Sequence, residues 1–154
     1  MRIIPADFND ERVIALFAIH LATARAETAP GSAHALDVSG LRTPDIRVWS
    51  LWIDDTLAGI GALKRLSNDH GEVKSMHTAE AMRGRGAGRA MLRHIIAAAR
   101  SEGMTRLSLE TGSWAFFRPA HALYRSEGFT DCPPFGVYGP DPNSLFLTLE
   151  LRES

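Results

Sequence analysis

The sequence predicts a mixed α/β fold, with antiparallel strands first and one parallel βαβ crossover in the middle. Three observations carry that prediction. Residues 46–78 read as three strands in succession, the first two joined by a two-residue turn. Residues 71–111 then read as strand, glycine loop, helix and strand, the order of a βαβ unit. Finally, 154 residues that are 45% hydrophobic suit one domain, 1–154, with a sizeable core rather than a disordered chain.

The elements follow in order. "RII" at 2–4 is a short strand ended by Pro5. An amphipathic helix begins at Asn9 or Asp10, because Val13, Leu16, Phe17, His20, Leu21 and Ala24 recur at helical spacing and Asp10 can cap the start. "TAPGSAH" breaks it, and a second short helix is expected from about Ser32 to Leu41. "IRVWSLWIDD" (46–55) and "TLAGIGALKRL" (56–66) form an antiparallel hairpin around "DD". Trp49 and Trp52 are an odd number of residues apart, so a regular strand sends them to opposite faces. "GEVKSMHT" (71–78) is the third strand. Strict alternation puts Glu72, Lys74, Met76 and Thr78 on one face and Val73, Ser75 and His77 on the other. A helix is expected over 87–102, a strand over 105–111, and a helix over 120–129 stopped by Gly128. "FGVYG" (135–139) and "NSLFLTLEL" (143–151) are the last expected strands.

Bulk properties narrow the function. A net charge of -1, from 17 basic and 18 acidic residues, argues against a nucleic-acid binder. The single cysteine, Cys132, excludes an internal disulfide framework. No apolar run approaches the roughly 18 residues of a membrane span, and the N-terminus lacks the pattern of a signal peptide. A cytoplasmic protein without a membrane partner is expected. The histidines at 20, 34, 70, 77, 94 and 121 show no metal-ligand spacing, so no metal is expected.

"AMRGRGAGRAML" (81–92) carries the sharpest signal. Unpaired N–H groups at a helix entrance point outward, and the helix dipole favours an anion there. Glycines at 84, 86 and 88 allow close backbone approach, and Arg83, Arg85 and Arg89 add positive charge. This pattern suits a pyrophosphate or a similar polyanion. The spacing is not GxGxxG, and the Lys-Ser/Thr of a P-loop is missing, so neither a dinucleotide fold nor a P-loop fits.

Arg83-Gly84-Arg85-Gly86-Ala87-Gly88 matches the Arg/Gln-x-x-Gly-x-Gly/Ala signature of the GNAT family of N-acetyltransferases. A second stretch, Ala120 through Leu123-Tyr124 to Gly128-Phe129, is similar to that family's A-x-x-LY-x-x-x-GF. The two motifs stand in the family's order, and the resemblance covers nearly the whole chain. "GSAHALD", "GEVKSMHT" and "LSLETG" further resemble a bacterial YsnE-like subgroup of acetyltransferases.

The resemblance implies a GNAT-like acyl-CoA N-acyltransferase fold, with acetyl-CoA as co-substrate. The loop, Arg83, Gly84, Arg85, Gly86, Ala87, Gly88 and Arg89, would cradle its pyrophosphate. The strand before the loop would splay from the next strand, so that the pantetheine arm lies against the backbone of Met76, His77 and Thr78. A backbone N–H of Met76 or His77 would polarise the thioester carbonyl. Tyr124 matches the family's common general acid for the departing sulfur, and Glu72 the strand carboxylate that often receives the amine proton. Direct attack needs no covalent intermediate, so Cys132 is not needed as a nucleophile. His77 is a second candidate base, on the face opposite Glu72. Glu110 either lines the acceptor site or caps a turn. Many family members carry Asn seven residues before the motif tyrosine, where this chain has Phe117 followed by Arg118.

Acceptor pockets in this fold are built from segments that here include "ETAPGSAHALD", "GSWAFFRP" and "PPFGVYGPDPNS". Trp114, Phe116, Phe117, Phe135 and Tyr138, with Arg118 nearby, suit a small, partly apolar substrate, with or without a carboxylate. Ribosomal-protein-type acetyltransferases acting on protein N-termini share the fold, so a peptide acceptor stays open. A catalytically silent acyl-CoA-binding domain also stays open, as does a homodimer, since family members often dimerise.

Overall fold

The computed structural model describes residues 1–28 and 36–151. Among them the elements run β1 (Arg2–Pro5), α1 (Glu11–Ala26), α2 (Val38–Leu41), β2 (Ile46–Ile53), β3 (Thr56–Arg65) and β4 (His70–Thr78). A 3₁₀ turn at Glu80–Met82 leads to α3 (Ala87–Ser101) and β5 (Arg106–Gly112). A second 3₁₀ turn at Ala115–Phe117 leads to α4 (Arg118–Ser126), β6 (Thr130–Asp131) and β7 (Ser144–Glu150). The expected start of the second helix near Ser32 lies outside the described residues.

The strands form one sheet in the order β1-β2-β3-β4-β5-β7-β6. Every neighbouring pair is antiparallel except β4 and β5, which are parallel and joined by α3. This is the mixed sheet with a central crossover that the sequence predicts.

Local chemistry explains the elements. The Asp10 carboxylate accepts the backbone N–H of Arg12 at 2.9 Å and starts α1 as expected. The β2–β3 hairpin turns at Asp54, whose φ is +52°. Two cores result, one on each sheet face. Val13, Leu16 and Phe17 of α1 pack with Trp52, Ile60 and Ala62. Met91, Leu92 and Ile95 of α3 pack with Trp49, Leu63, Val73 and Leu107. The two tryptophans thus serve opposite cores. Gly61 permits the close approach of α3, because a Cβ there would stand 2.7 Å from Met91 Cγ.

Two expectations fail. Residues 135–139 form no strand; the segment turns at Gly136 (φ +58°), and Thr130–Asp131 instead pair with the edge of β7. Phe135, Val137 and Tyr138 suggested a strand, but they sit in a loop whose aromatic rings fold back onto Phe146. Strict alternation along β4 also fails. Ile60 pairs with His77 and Ala62 with Lys74, so Ser75 and Met76 together oppose Gly61. This β-bulge, with Ser75 at φ +56°, reverses the alternation. His77 therefore shares the face of Glu72 and Lys74, and Met76 packs into the α3-side core beside Val73.

Among the described residues no helix is long and apolar enough to cross a membrane.

Candidate active site

The site begins where β4 and β5 part. They pair only at His70–Arg106, Gly71–Leu107 and Glu72–Ser108. Beyond Glu72 the β4 edge toward β5 has no strand partner, and a cleft opens there. Its outer part is a groove of about 410 Å³, and its inner part a cavity of about 140 Å³. His20, Ala24, Met76, Phe117, Ala120 and Tyr124 line both.

The groove runs past His77, Thr78, Arg83 and Gly88 toward the start of α3. Gly86 is the N-cap of α3 at φ +83°, with no side chain to cap the helix, and Gly84 has φ +79°. Both conformations are costly for residues with a Cβ. The first-turn amides of α3 are thus left to a ligand. The loop arginines do not behave alike. Arg83 borders the groove, and Arg85 is exposed with no ion pair among the described residues. Arg89 is tied to α4, donating to Ser126 Oγ at 3.0 Å and to Glu127 Oε2 at 2.9 Å. An unpartnered strand edge, an uncapped helix start and a glycine-rich loop fit an extended ligand ending in a pyrophosphate.

The inner cavity ends on charge. Glu72 is only 3% exposed. Its Oε2 accepts Lys74 Nζ at 3.2 Å and the hydroxyl of Tyr138, and Lys74 Nζ donates to the Tyr138 oxygen at 3.0 Å. Burial, and then the charge and hydrogen bond of Glu72, push the Tyr138 hydroxyl far above its ordinary range. Glu110 lines the same cavity. Ser75 does too, and its Oγ is buried without a hydrogen-bond partner. Tyr124 stands where cavity and groove meet. It is 8% exposed, packs edge-on against Phe129 at 6.0 Å, and is pushed up to about 12 by burial and, less, by Glu110.

Phe117, which replaces the expected asparagine, forms a wall. Its ring lies against Gly112 so closely that a Cβ there would come within 2.2 Å. The predicted aromatic group divides. Phe117 and Tyr138 line the cavity, and Phe116 the groove. Trp114 is exposed and held by Asn143, and Phe135 packs on His70. Of the acceptor segment 27–37, residues 29–35 lie outside the described residues.

Sequence reasoning missed two groupings. It did not join Tyr138 to Glu72 across 66 residues, and no local signal could have done so. Nor did it join His20 of α1 to His77 of β4, whose Nδ1 atoms lie 3.1 Å apart. His20 counted only as a helix-face residue, and the bulge that turns His77 toward α1 has no glycine or asparagine to mark it. Cys132 is half-buried, and burial pushes its thiol up, away from the reactive thiolate.

Comparison with known proteins places these features. The model of the acetyltransferase (GNAT) family matches residues 12–129. An uncharacterized N-acetyltransferase of Bacillus subtilis, YsnE, is 48% identical over 145 residues, 94% of this chain and 96% of that protein. Another of Escherichia coli, YedL, is 47% identical over 148 residues, 96% of this chain and 93% of that protein. Among solved structures, one described as an acyl-CoA N-acyltransferase from Klebsiella pneumoniae superposes with a TM-score of 0.82 at 28% identity. That match covers 98% of this chain and 97% of the other.

Proposed function

The chain belongs to the GNAT acetyltransferase family and uses acetyl-CoA as co-substrate; on that premise we propose that it acts as a single domain moving the acetyl group to the primary amine of a small molecule by direct attack. The observation that carries this reading is the inner cavity. It holds only about 140 Å³ and ends on the buried Glu72–Lys74–Tyr138 cluster, which suits a small polar acceptor.

Each residue then has a task. The backbone of Met76, His77 and Thr78 receives the pantetheine arm along the free edge of β4. Gly84, Gly86, Ala87 and Gly88 supply backbone N–H groups to the pyrophosphate, with charge from Arg83, Arg85 and, less directly, Arg89. Bound acetyl-CoA supplies the activated acetyl thioester, and an N–H of Met76 or His77 polarises its carbonyl. Tyr124 holds its proton through neutral pH and gives it to the departing sulfur. Glu72 is the base. Its Oε2 is fixed by Lys74 and Tyr138, while Oε1 has no hydrogen bond to a described residue and is left for the amine.

The test begins with calorimetric titration of the protein with acetyl-CoA, using NAD and ATP as controls. Release of free thiol is then followed with a panel of small amines and a panel of N-terminal peptides. Micromolar binding of acetyl-CoA alone and turnover of small amines are expected. Turnover of peptides only would assign a protein N-terminus as acceptor. Binding without any turnover would mark a catalytically silent domain.

A further inference from the structure

His20 and His77 come from different elements, 57 residues apart, and meet through their Nδ1 atoms at 3.1 Å with their rings edge-on at 5.2 Å. A hydrogen bond between two such nitrogens needs one Nδ1–H and one bare Nδ1. When both rings are neutral, one of them presents a bare Nε2 and the other an Nε2–H. The pair can therefore accept a proton at one end and release another from the far end. Its placement gives that property a direction. His20 lines both the inner cavity and the groove, whereas His77 lines only the groove, beside Arg83.

We propose that His20 and His77 form the proton exit of the acetyl-transfer site. The inference rests on the reading of the inner cavity as the amine site. An ammonium acceptor sheds two protons as its N–C bond forms and the C–S bond breaks. One ends on the sulfur, and the other must leave the cavity. The second proton, passed from the amine or from Glu72, binds His20 Nε2. The Nδ1–H of His20 passes to His77 Nδ1, and the Nε2–H of His77 is released to water in the groove. After the product departs, water in the opened cavity takes the Nε2 proton of His20, the proton on His77 Nδ1 passes back to His20 Nδ1, and water in the groove returns a proton to His77 Nε2, which restores the first tautomers.

Electrostatics keep both rings neutral near pH 7, so a proton crosses by a concerted shift through the pair and is not stored on either ring as imidazolium. Burial, and then His77, push His20 down to about 4; burial, and then Arg83, lower His77. The other charged or titratable groups around the cavity that His20 lines are Glu72, Lys74, Glu110, Tyr124 and Tyr138.

The test uses His20→Asn and His77→Asn. Asparagine keeps a hydrogen-bonding atom near the Nδ1 position but cannot carry a proton. Each variant is expected to bind acetyl-CoA within twofold of wild type and to lose about 100-fold in kcat at pH 7, the low end for a placed proton acceptor. Millimolar imidazole in the buffer should recover part of that loss, and the double variant should be no slower than either single one. Wild-type kcat in the single variants, or a loss that imidazole does not recover and that multiplies in the double variant, would make the pair a packing contact. A wild-type enzyme that acetylates peptides but no small amine would sink the small-acceptor reading and leave the relay to be judged by the same variants. Absence of any turnover in the wild type would remove both.

Discussion

The hydroxyl of Tyr138 donates to the carboxylate of Glu72, joining the loop before β7 to the strand before the glycine loop. Lys74 bonds to both, so three polar groups satisfy one another at the end of the cavity. Tyr138→Phe removes one donor from a carboxylate that is 96% buried by side chain. A cost of about 1.5–3 kcal/mol is expected, the range for hydrogen bonds to charged groups. Urea denaturation checks it, and an unchanged midpoint would show that water replaces the phenol. The acceptor KM should rise in the same variant.

Tyr124→Phe separates chemistry from packing. The ring and its contact with Phe129 remain, so acetyl-CoA affinity should stay within twofold of wild type. Loss of the acid should lower kcat by about 100-fold or more. Equal losses in affinity and turnover would show instead that the hydroxyl serves the architecture of the groove.

The glycine-loop arginines should differ in weight. Arg85→Ala is expected to weaken acetyl-CoA binding about fivefold at low salt, the scale of one exposed ionic contact, and less at high salt. Arg89→Ala should change it less than twofold, because the Arg89 charge already faces Glu127. Calorimetry at two salt concentrations distinguishes the two, and equal effects would mean that Arg89 leaves Glu127 when ligand binds.

Stability should follow two titrations with opposite signs. His20 is lowered from 6.5 to about 4, so folding favours its neutral form. Its contribution is complete above pH 6.5 and is lost as pH falls through 4. Tyr124 is raised from 10.0 to about 12, so its contribution is complete below pH 10 and is lost as pH rises through 12. Thermal melts across pH should show the wild type losing more than His20→Asn on the acid side. On the alkaline side it should lose more than Tyr124→Phe. Parallel curves would contradict the burial of these groups.

Much of the fold could be read directly. Helical spacing in 10–24, the "DD" turn and the strand–glycine loop–helix order each depend on neighbours within a few residues. Each reappears, as α1 with its Asp10 cap, the β2–β3 hairpin and the Gly86 entrance to α3. The segment 135–139 misled because Phe, Val and Tyr are all strand formers, yet here Phe135 and Tyr138 pack their rings on Phe146 from a loop while Val137 is exposed. The bulge at Ser75 was invisible because neither residue type nor spacing marks it, and its positive φ is held by pairing with β3.

The sequence by itself determined the element order, the glycine loop and the family motifs around Gly86 and Tyr124, because these are short-range patterns of periodicity and backbone freedom. Only the tertiary structure decided that Glu72 shares its carboxylate with Tyr138, that Arg89 is drawn to Glu127, and that His77 meets His20. Those contacts join residues far apart in the chain or depend on a bulge that reverses the side-chain alternation. They exist only once the sheet has parted between β4 and β5 and the helices have closed on both faces.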